Sequence, residues 1–250
     1  MRVTFLGTGT SRGIPVIGCD CQVCRSPDPK NKRLRPSVLL ESGVNVVIDT
    51  SVDFRQQMLR HGVHQLHAVV MTHSHADHIL GLDDVYPFNV WSKKTIPIYA
   101  SPTTLKELEI TFRYLFTEKR YPGTPSLELV PIDEAFQIGD LPFLPIEIWH
   151  GELPILGFRV EDFAYVTDVS YIPSESAEKL RGVRWLVLDG LRYKPHPSHF
   201  CLAEAVEAAR ALEAETTYLT HICHDIEHEE GNSKLPDSVQ LAYDGLTLEI

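Results

Sequence analysis

The chain predicts an α/β fold in which two mixed sheets are faced by helices. Three observations carry that expectation. About eleven short β-like runs are spread over the 250 residues. A few amphipathic helical stretches lie between them without strict one-to-one alternation. No internal repeat, low-complexity tract or linker divides the chain, so one domain spanning residues 1–250 is expected.

Each expected strand is an apolar run, most of them bounded by Gly, Pro, Asp or Ser. In order they read Arg2–Leu6, Ser37–Glu41, Val44–Asp49, Ala68–Met71, Pro97–Ala100, Leu127–Ile132, Phe143–Trp149, Gly157–Val160, Ala164–Thr167, Trp185–Leu188 and Thr217–Leu219. Helical spacing predicts helices over Phe54–His61, Thr103–Leu115, Ser174–Leu180 and Leu202–Glu213. The last carries Leu202, Val206, Ala209 and Leu212 as one apolar stripe. Prolines at 122, 125, 131, 142, 145 and 154 predict a loop-rich middle third.

Hydrophobic residues make up 43% and charged residues 23%, which excludes a disordered or collagen-like chain. No apolar run approaches the roughly 18 residues that a membrane helix needs. The stretch Met1–Gly7 is too short for a secretory signal and reads as a first strand, so a cytoplasmic protein with no membrane partner is expected. Lys and Arg number 23 against 34 Asp and Glu, a net charge of −11 with His neutral. That balance argues against a protein devoted to gripping a phosphate backbone, because such affinity comes from Lys and Arg displacing counterions. A small anionic substrate stays compatible if bound metal ions supply local positive charge. Twelve histidines are available to hold such ions.

The strongest chemical signal is Thr72-His73-Ser74-His75-Ala76-Asp77-His78, directly after the apolar run Ala68–Met71. A strand end followed by a tight loop can aim His73 and His75 to one side and Asp77 and His78 at a second position. Imidazole and carboxylate are ligands for Zn, Mn or Fe, whereas an all-oxygen Ca site would not want three histidines. A second cluster, Cys19-Asp20-Cys21-Gln22-Val23-Cys24, holds three of five cysteines. Without an export signal, crowded thiols read as metal ligands sooner than as a disulfide framework.

His-x-His-x-Asp-His after a strand resembles the signature of the metallo-β-lactamase superfamily of metal hydrolases. The resemblance implies a four-layer αββα sandwich of two mixed sheets, with a two-metal site at their end. It also implies a lone His, a bridging Asp and a final His downstream. Candidates stand in that order, each after an apolar run: His150, Asp168 and His221. By the resemblance His73, His75 and His150 hold the first metal, Asp77, His78 and His221 hold the second, and Asp168 bridges both. Asp49 matches the superfamily's early Asp, which supports the His loop from behind. On its own residues it reads equally well as a strand-ending turn Asp.

The start of the chain, Phe5–Pro15 followed by Gly18–Cys24, looks like the PhnP-type branch, whose namesake is a phosphoribosyl cyclic phosphodiesterase. In that branch three cysteines and a histidine hold a structural zinc. The loop at about 18–25 is therefore expected to bind Zn through Cys19, Cys21 and Cys24. A tetrahedral site needs a fourth ligand, for which His224 fits and Cys223 competes. The Gly-rich stretch Gly7–Gly13 lacks the Gly-Lys-Ser/Thr ending of a Walker loop. In the resemblance its backbone approaches metals or phosphate, with Ser11 and Arg12 as candidate phosphate contacts. Within Leu191–Phe200, His199 matches the histidine that transfers a proton to the leaving group, and His196 is its alternative. Arg192, Lys194 and His196 are otherwise read as a solvated charged loop, with Arg192 and His196 kept as candidate phosphate contacts. His61, His64, His67 and His228 are expected at the surface or in caps.

The expected activity is hydrolysis of a small or cyclic phosphodiester through a hydroxide bridging two divalent metals, Mn or Zn, about 3.5–4 Å apart. Asp77 belongs to that centre, and His199 serves as general acid. Two alternatives stand beside it: a tRNA 3′-end endonuclease on the same fold, and a non-catalytic carrier resembling the pyrroloquinoline quinone carrier protein. The acidic balance weighs against nucleic acid as partner, and the complete ligand set weighs against a carrier. A homodimer is compatible with the chain, whose assembly the sequence leaves open.

Overall fold

The structure, a computed structural model, describes residues 1–117 and 121–250. Its first sheet contains β1 (Arg2–Gly7), β2 (Ser37–Glu41), β3 (Asn45–Ile48), β4 (Ala68–Val70), β5 (Ile96–Ala100) and β6 (Leu127–Pro131). The second contains β7 (Phe136–Ile138), β8 (Leu141–His150), β9 (Leu153–Val160), β10 (Phe163–Val166), β11 (Trp185–Asp189), β12 (Thr216–Thr220) and β13 (Val239–Leu241). The last strand, β14 (Thr247–Glu249), returns to the first sheet beside β1. The two seven-stranded orders are β14-β1-β2-β3-β4-β5-β6 and β13-β12-β11-β10-β9-β8-β7. Both sheets are mixed, with β3 to β6 parallel in one and β10 to β13 parallel in the other.

The helices are α1 (Gln22–Arg25), α2 (Phe54–His61), α3 (Ala76–Ile79), α4 (Tyr86–Ser92), α5 (Pro102–Thr111), α6 (Ser174–Leu180), α7 (Leu202–Ala211) and α8 (His228–Asn232). Strand periodicity divides the core into three apolar layers. Val3, Phe5, Val46, Ile48, Phe163 and Tyr165 point between the sheets. Their neighbours Leu6 and Val47 point outward, against Phe54 and Met58 of α2 and Leu105 and Leu108 of α5. On the far side, Ala164 and Val166 meet Leu180 of α6 and Leu202, Ala205 and Ala209 of α7. The result is the αββα sandwich.

Three strands exceed the sequence expectation: β7, β13 and β14. Each has three residues, too few for an alternating pattern to be read. The prolines also mislead. Pro142 and Pro145 lie inside β8, and Pro154 inside β9. Strand β7 covers β8 only from Leu141 to Phe143, so Pro145 falls where one side of β8 is open and a missing N–H is tolerated. The helix expected over Thr103–Leu115 ends at Thr111 and resumes as a short 3₁₀ turn, Arg113–Leu115. No helix among the described residues is long and apolar enough to cross a membrane.

The topology matters because β3, β4, β8, β10, β11 and β12 all run toward the same edge of the sandwich. Ligand sites in α/β sheets form outside the carboxyl ends of strands. Asp49, His73, His150, Asp168, Asp189 and His221 all stand at that edge.

Candidate metal centre

Two groups of side chains converge there. His73, His75 and His150 bring one ligand nitrogen each within 4.8 Å of the others. Asp77, His78, Asp168 and His221 do the same beside them. His78 Nε2 lies 3.5 Å from Asp77 Oδ2 and 3.3 Å from Asp168 Oδ2. His221 Nε2 lies 3.5 Å from Asp77 Oδ2 and 3.2 Å from Asp168 Oδ1. Asp168 also falls within 4.8 Å of ligand atoms of His150 and His199, so its carboxylate reaches beyond its own group. All seven residues singled out in the sequence meet at this edge.

Hydrogen bonds behind the site set the tautomers. Asp49 accepts from the Thr72 N–H at 2.8 Å and from Thr72 Oγ1 at 2.8 Å. With its hydroxyl proton so engaged, Thr72 Oγ1 accepts from His73 Nδ1 at 2.9 Å. His78 Nδ1 donates to Asp49 Oδ2 at 2.7 Å, and His150 Nδ1 donates to the Ser198 carbonyl at 2.7 Å. In each ring Nδ1 is the nitrogen engaged behind the site, which leaves Nε2 facing the centre as the atom available to a metal. His73 Nε2, His78 Nε2 and both ring nitrogens of His221 are buried with no hydrogen-bond partner among the described residues. Buried polar atoms without partners are costly, and a divalent cation would satisfy these. The residues fit a metal site, with Asp49 holding Thr72 and His78 from behind.

The electrostatics of the two groups differ. Burial lowers the pKa of His73, His75 and His150, keeping them neutral as ligation demands. Burial works against protonating His78 and His221 as well. There, however, Asp168 and the carboxylates near it prevail, raising His78 and bringing His221 to about 9. Three backbone positions at this edge, Asp49, Asp168 and His221, have φ of 65°, 58° and 58°. Non-glycine residues rarely adopt that conformation, and such strain gathers at functional sites.

His199 stands beside the two groups, its ring centroid 4.6 Å from that of His150 and 4.8 Å from that of His221. Its Nδ1 meets Asp189 Oδ2 at 2.7 Å. Burial pushes the Asp189 carboxyl up and lowers His199 to about 4. Sequence reasoning missed Asp189, although it ends an apolar run as Asp49 and Asp168 do. His196 lies 5.0 Å from His199 between ring centroids, and its Nδ1 accepts from the Ser198 N–H at 3.3 Å.

The second cluster also assembles. Cys19, Cys21 and Cys24 Sγ lie 3.2, 3.6 and 3.4 Å from His224 Nδ1. Cys223 does not compete: its Sγ accepts from the Asp225 N–H instead. Between the two clusters the N-terminal loop pairs with the residue after His221, since Ile222 donates to the Thr8 carbonyl at 2.9 Å and accepts from the Thr10 N–H at 3.1 Å. Ser11 and Arg12 are exposed at the tip of the turn that follows.

Two expectations need correction. Arg192 does not extend a free guanidinium: Nε and Nη2 donate to the carbonyls of Lys194 and Pro195, pinning its own loop. His228 is not a surface residue. It is buried, with Nδ1 accepting from Arg33 Nη2 at 3.1 Å. Arg33 is itself buried and donates to Thr8 Oγ1 and the Ala242 carbonyl, which braces the N-terminal loop.

A model of the β-lactamase superfamily domain matches residues 44–222, which include both metal-ligand groups. The crystal structure of a new diphosphatase from the PhnP family is 46% identical, with a TM-score of 0.93, and the match covers 100% of this chain and 97% of that one. The chain belongs to the PhnP family of the metallo-β-lactamase superfamily. Membership in this superfamily of metal hydrolases implies divalent metal binding, and the His/Asp cluster is where it fits. An octanoyltransferase from Porphyromonas gingivalis is 40% identical over 98% of this chain, but the chain spans only 51% of that protein. A ribonuclease Z from Methanopyrus kandleri is 31% identical over 53% of this chain and 46% of its own length. This PhnP-family chain thus spans about half the length of those two relatives.

Proposed function

We propose that this protein hydrolyses a small or cyclic phosphodiester with two divalent metal ions, Mn or Zn, and carries a structural Zn on Cys19, Cys21, Cys24 and His224. The observation that carries the reading is the Asp189–His199 pair set at the edge of two adjoining ligand groups. His73, His75 and His150 would hold one ion, Asp77, His78 and His221 the other, and Asp168 would serve both. Such a pair of ions supplies Lewis acidity toward phosphoryl oxygens and a water nucleophile at neutral pH.

The chain's own groups do the rest. Asp49, Thr72 and the Ser198 carbonyl orient the ligand imidazoles. His199 gives its proton to the departing ester oxygen, and Asp189 holds the ring for that transfer. A nucleic-acid backbone is not the substrate favoured here, because a chain of net charge −11 lacks the cationic surplus that binds long polyanions. An acyl-transfer reading is not favoured either, since the ligand groups and the Asp189–His199 pair contain no Lys or Cys to carry an acyl group.

A second reading, cleavage of a diphosphate linkage, draws on the 46% identical diphosphatase. The two differ in leaving group, because a phosphate leaves with less help from a general acid than an alkoxide does. The test is turnover by Mn- and Zn-loaded protein of bis(p-nitrophenyl) phosphate, a cyclic nucleotide, a dinucleoside diphosphate and precursor tRNA. Hydrolysis of the first two is expected. Cleavage of the diphosphate alone would favour the second reading, and cleavage of tRNA alone would overturn both.

A further inference from the structure

His221 differs from His73, His78 and His150 in what holds it. Thr72, Asp49 and the Ser198 carbonyl engage Nδ1 of those three rings from behind. Neither ring nitrogen of His221 has a hydrogen-bond partner among the described residues, and Asp189 Oδ1 stays 4.0 Å from its Nδ1. Its orientation rests chiefly on its backbone, whose φ of 58° persists only where the surroundings enforce it. The peptides on either side supply that enforcement. From β11 and its continuation, the Gly190 N–H donates to the Thr220 carbonyl and the Leu191 carbonyl accepts from the Cys223 N–H, both at 2.9 Å. From the N-terminal loop, the Thr8 carbonyl accepts from the Ile222 N–H at 2.9 Å, and the Thr10 N–H donates to the Ile222 carbonyl at 3.1 Å. The first partner is a strand. The second is a loop, which needs fixing itself.

Two buried charges fix it. The Thr8 N–H and hydroxyl donate to Asp244 Oδ1 at 3.0 and 2.8 Å. With its proton so used, Thr8 Oγ1 accepts from Arg33 Nη1 at 2.7 Å. Arg33 is 1% exposed and the Asp244 side chain 2%. Asp244 Oδ2 accepts from the Leu34 N–H at 2.7 Å, and Arg33 Nη1 also donates to the Ala242 carbonyl. The loop wraps closely around this network. The Gly9 N–H donates to the Leu34 carbonyl at 2.8 Å, and a Cβ on Gly9 would lie 2.9 Å from Arg33 Cβ. One hydroxyl thus links a buried cation to a buried anion, and its loss would leave both charges poorly matched in a dry place, which is costly.

From these contacts we infer that Arg33, Thr8 and Asp244 are positioning residues for His221. They hold the loop carbonyl that fixes the ligand's backbone, and so set how tightly the group of Asp77, His78 and His221 binds its ion. The inference rests on the phosphodiesterase reading, in which His221 is a metal ligand.

Titration of chelator-treated protein with Mn tests it, because oxygen and imidazole ligands suit Mn while thiolates select Zn. Two binding events are expected in the unmodified protein. In Thr8→Val one event is expected to weaken by about tenfold to a hundredfold, the usual cost of losing support behind a ligand, while the other is unchanged. Thr8→Ser, which keeps the hydroxyl, is expected to restore it. Asp244→Asn, which can set an amide N–H against the Leu34 N–H, is expected to repeat the Thr8→Val pattern. In a His221→Ala background the same event is already weak, and adding Thr8→Val is expected to change it no further, as coupled sites require. Two events unmoved by Thr8→Val and Asp244→Asn, both events weakened alike, or a loss that adds in full to that of His221→Ala would overturn the positioning role. Those results leave the phosphodiesterase reading in place, whereas no Mn binding by the unmodified protein would remove both.

Discussion

Asp189 Oδ2 holds His199 Nδ1 at 2.7 Å, and Asp189 Oδ1 lies 4.0 Å from His221 Nδ1. One buried carboxylate therefore stands between the proposed proton donor and a proposed metal ligand. Its second oxygen has no hydrogen-bond partner among the described residues. A change at Asp189 should reach both proton transfer and ligand orientation.

Replacing His199 with Ala is expected to lower turnover of a diester with an alkoxide leaving group by about 10²–10⁴-fold, the usual worth of general acid catalysis. Metal content should not change. Asp189→Asn should cost about 10–100-fold and move the pH profile, since it alters the partner of the imidazole rather than removing the ring. Kinetics paired with metal analysis check this; metal lost along with activity in His199→Ala would make His199 a ligand.

Metal loading is expected to release protons. Burial disfavours the charged imidazoles of His78 and His221, but Asp168 with Asp49 and Asp77 around His78, and Asp168 with Asp77 and Asp189 around His221, raise both, His221 to about 9. Without metal the surrounding carboxylates favour the protonated form of both, and ligation requires them neutral. The sign follows: affinity of the His/Asp groups rises with pH until those histidines titrate, and filling them frees protons in addition to those the Cys19, Cys21 and Cys24 thiols give up on binding Zn. Calorimetry in buffers of different ionisation enthalpy measures the number. A heat independent of buffer would contradict the assignment.

Cys24→Ser is expected to remove about one metal equivalent per chain and lower stability by roughly 3 kcal/mol, because a closed tetrahedral site contributes directly to folding. Cys223→Ser should keep that metal, since its Sγ meets the Asp225 N–H instead of His224. Metal analysis of the two variants, with thermal denaturation, separates them.

Gly81→Ala is expected to destabilise by about 2–4 kcal/mol in urea titration. The reason is close approach and not backbone conformation: an added Cβ would meet the Ser51 carbonyl at 2.0 Å and Phe54 Cβ at 2.6 Å. Unchanged stability would show that α3 shifts freely over the loop from β3.

Local patterns revealed much of this molecule before folding was considered. The run Ala68–Met71 with His73, His75, Asp77 and His78 is legible because strand, loop and ligands are contiguous. The same holds for Cys19, Cys21 and Cys24, which α1 and the turn before it gather within a few residues. The strands β7, β13 and β14 were not legible, because three residues carry no period and their pairing depends on a neighbour far away in the chain. Pro142 and Pro154 hid the first residues of β8 and β9, which the sequence predicts to start only at Phe143 and Gly157, for a related reason: whether a missing N–H matters depends on which side of the strand has a partner.

By itself the sequence determined the residue types, their order and their contiguous clusters, since imidazole, thiolate and carboxylate chemistry is local. It also determined the strand runs whose alternation separates the faces of each sheet. Only the tertiary structure decided what each strand-ending carboxylate does. Asp49, Asp168 and Asp189 share one local signature, yet Asp49 holds His78 and Thr72, Asp168 lies among the ligands, and Asp189 holds His199. It likewise buried His228 against Arg33, a pairing across 195 residues. Such roles depend on which strands become neighbours, and sheet pairing is a property of the whole chain.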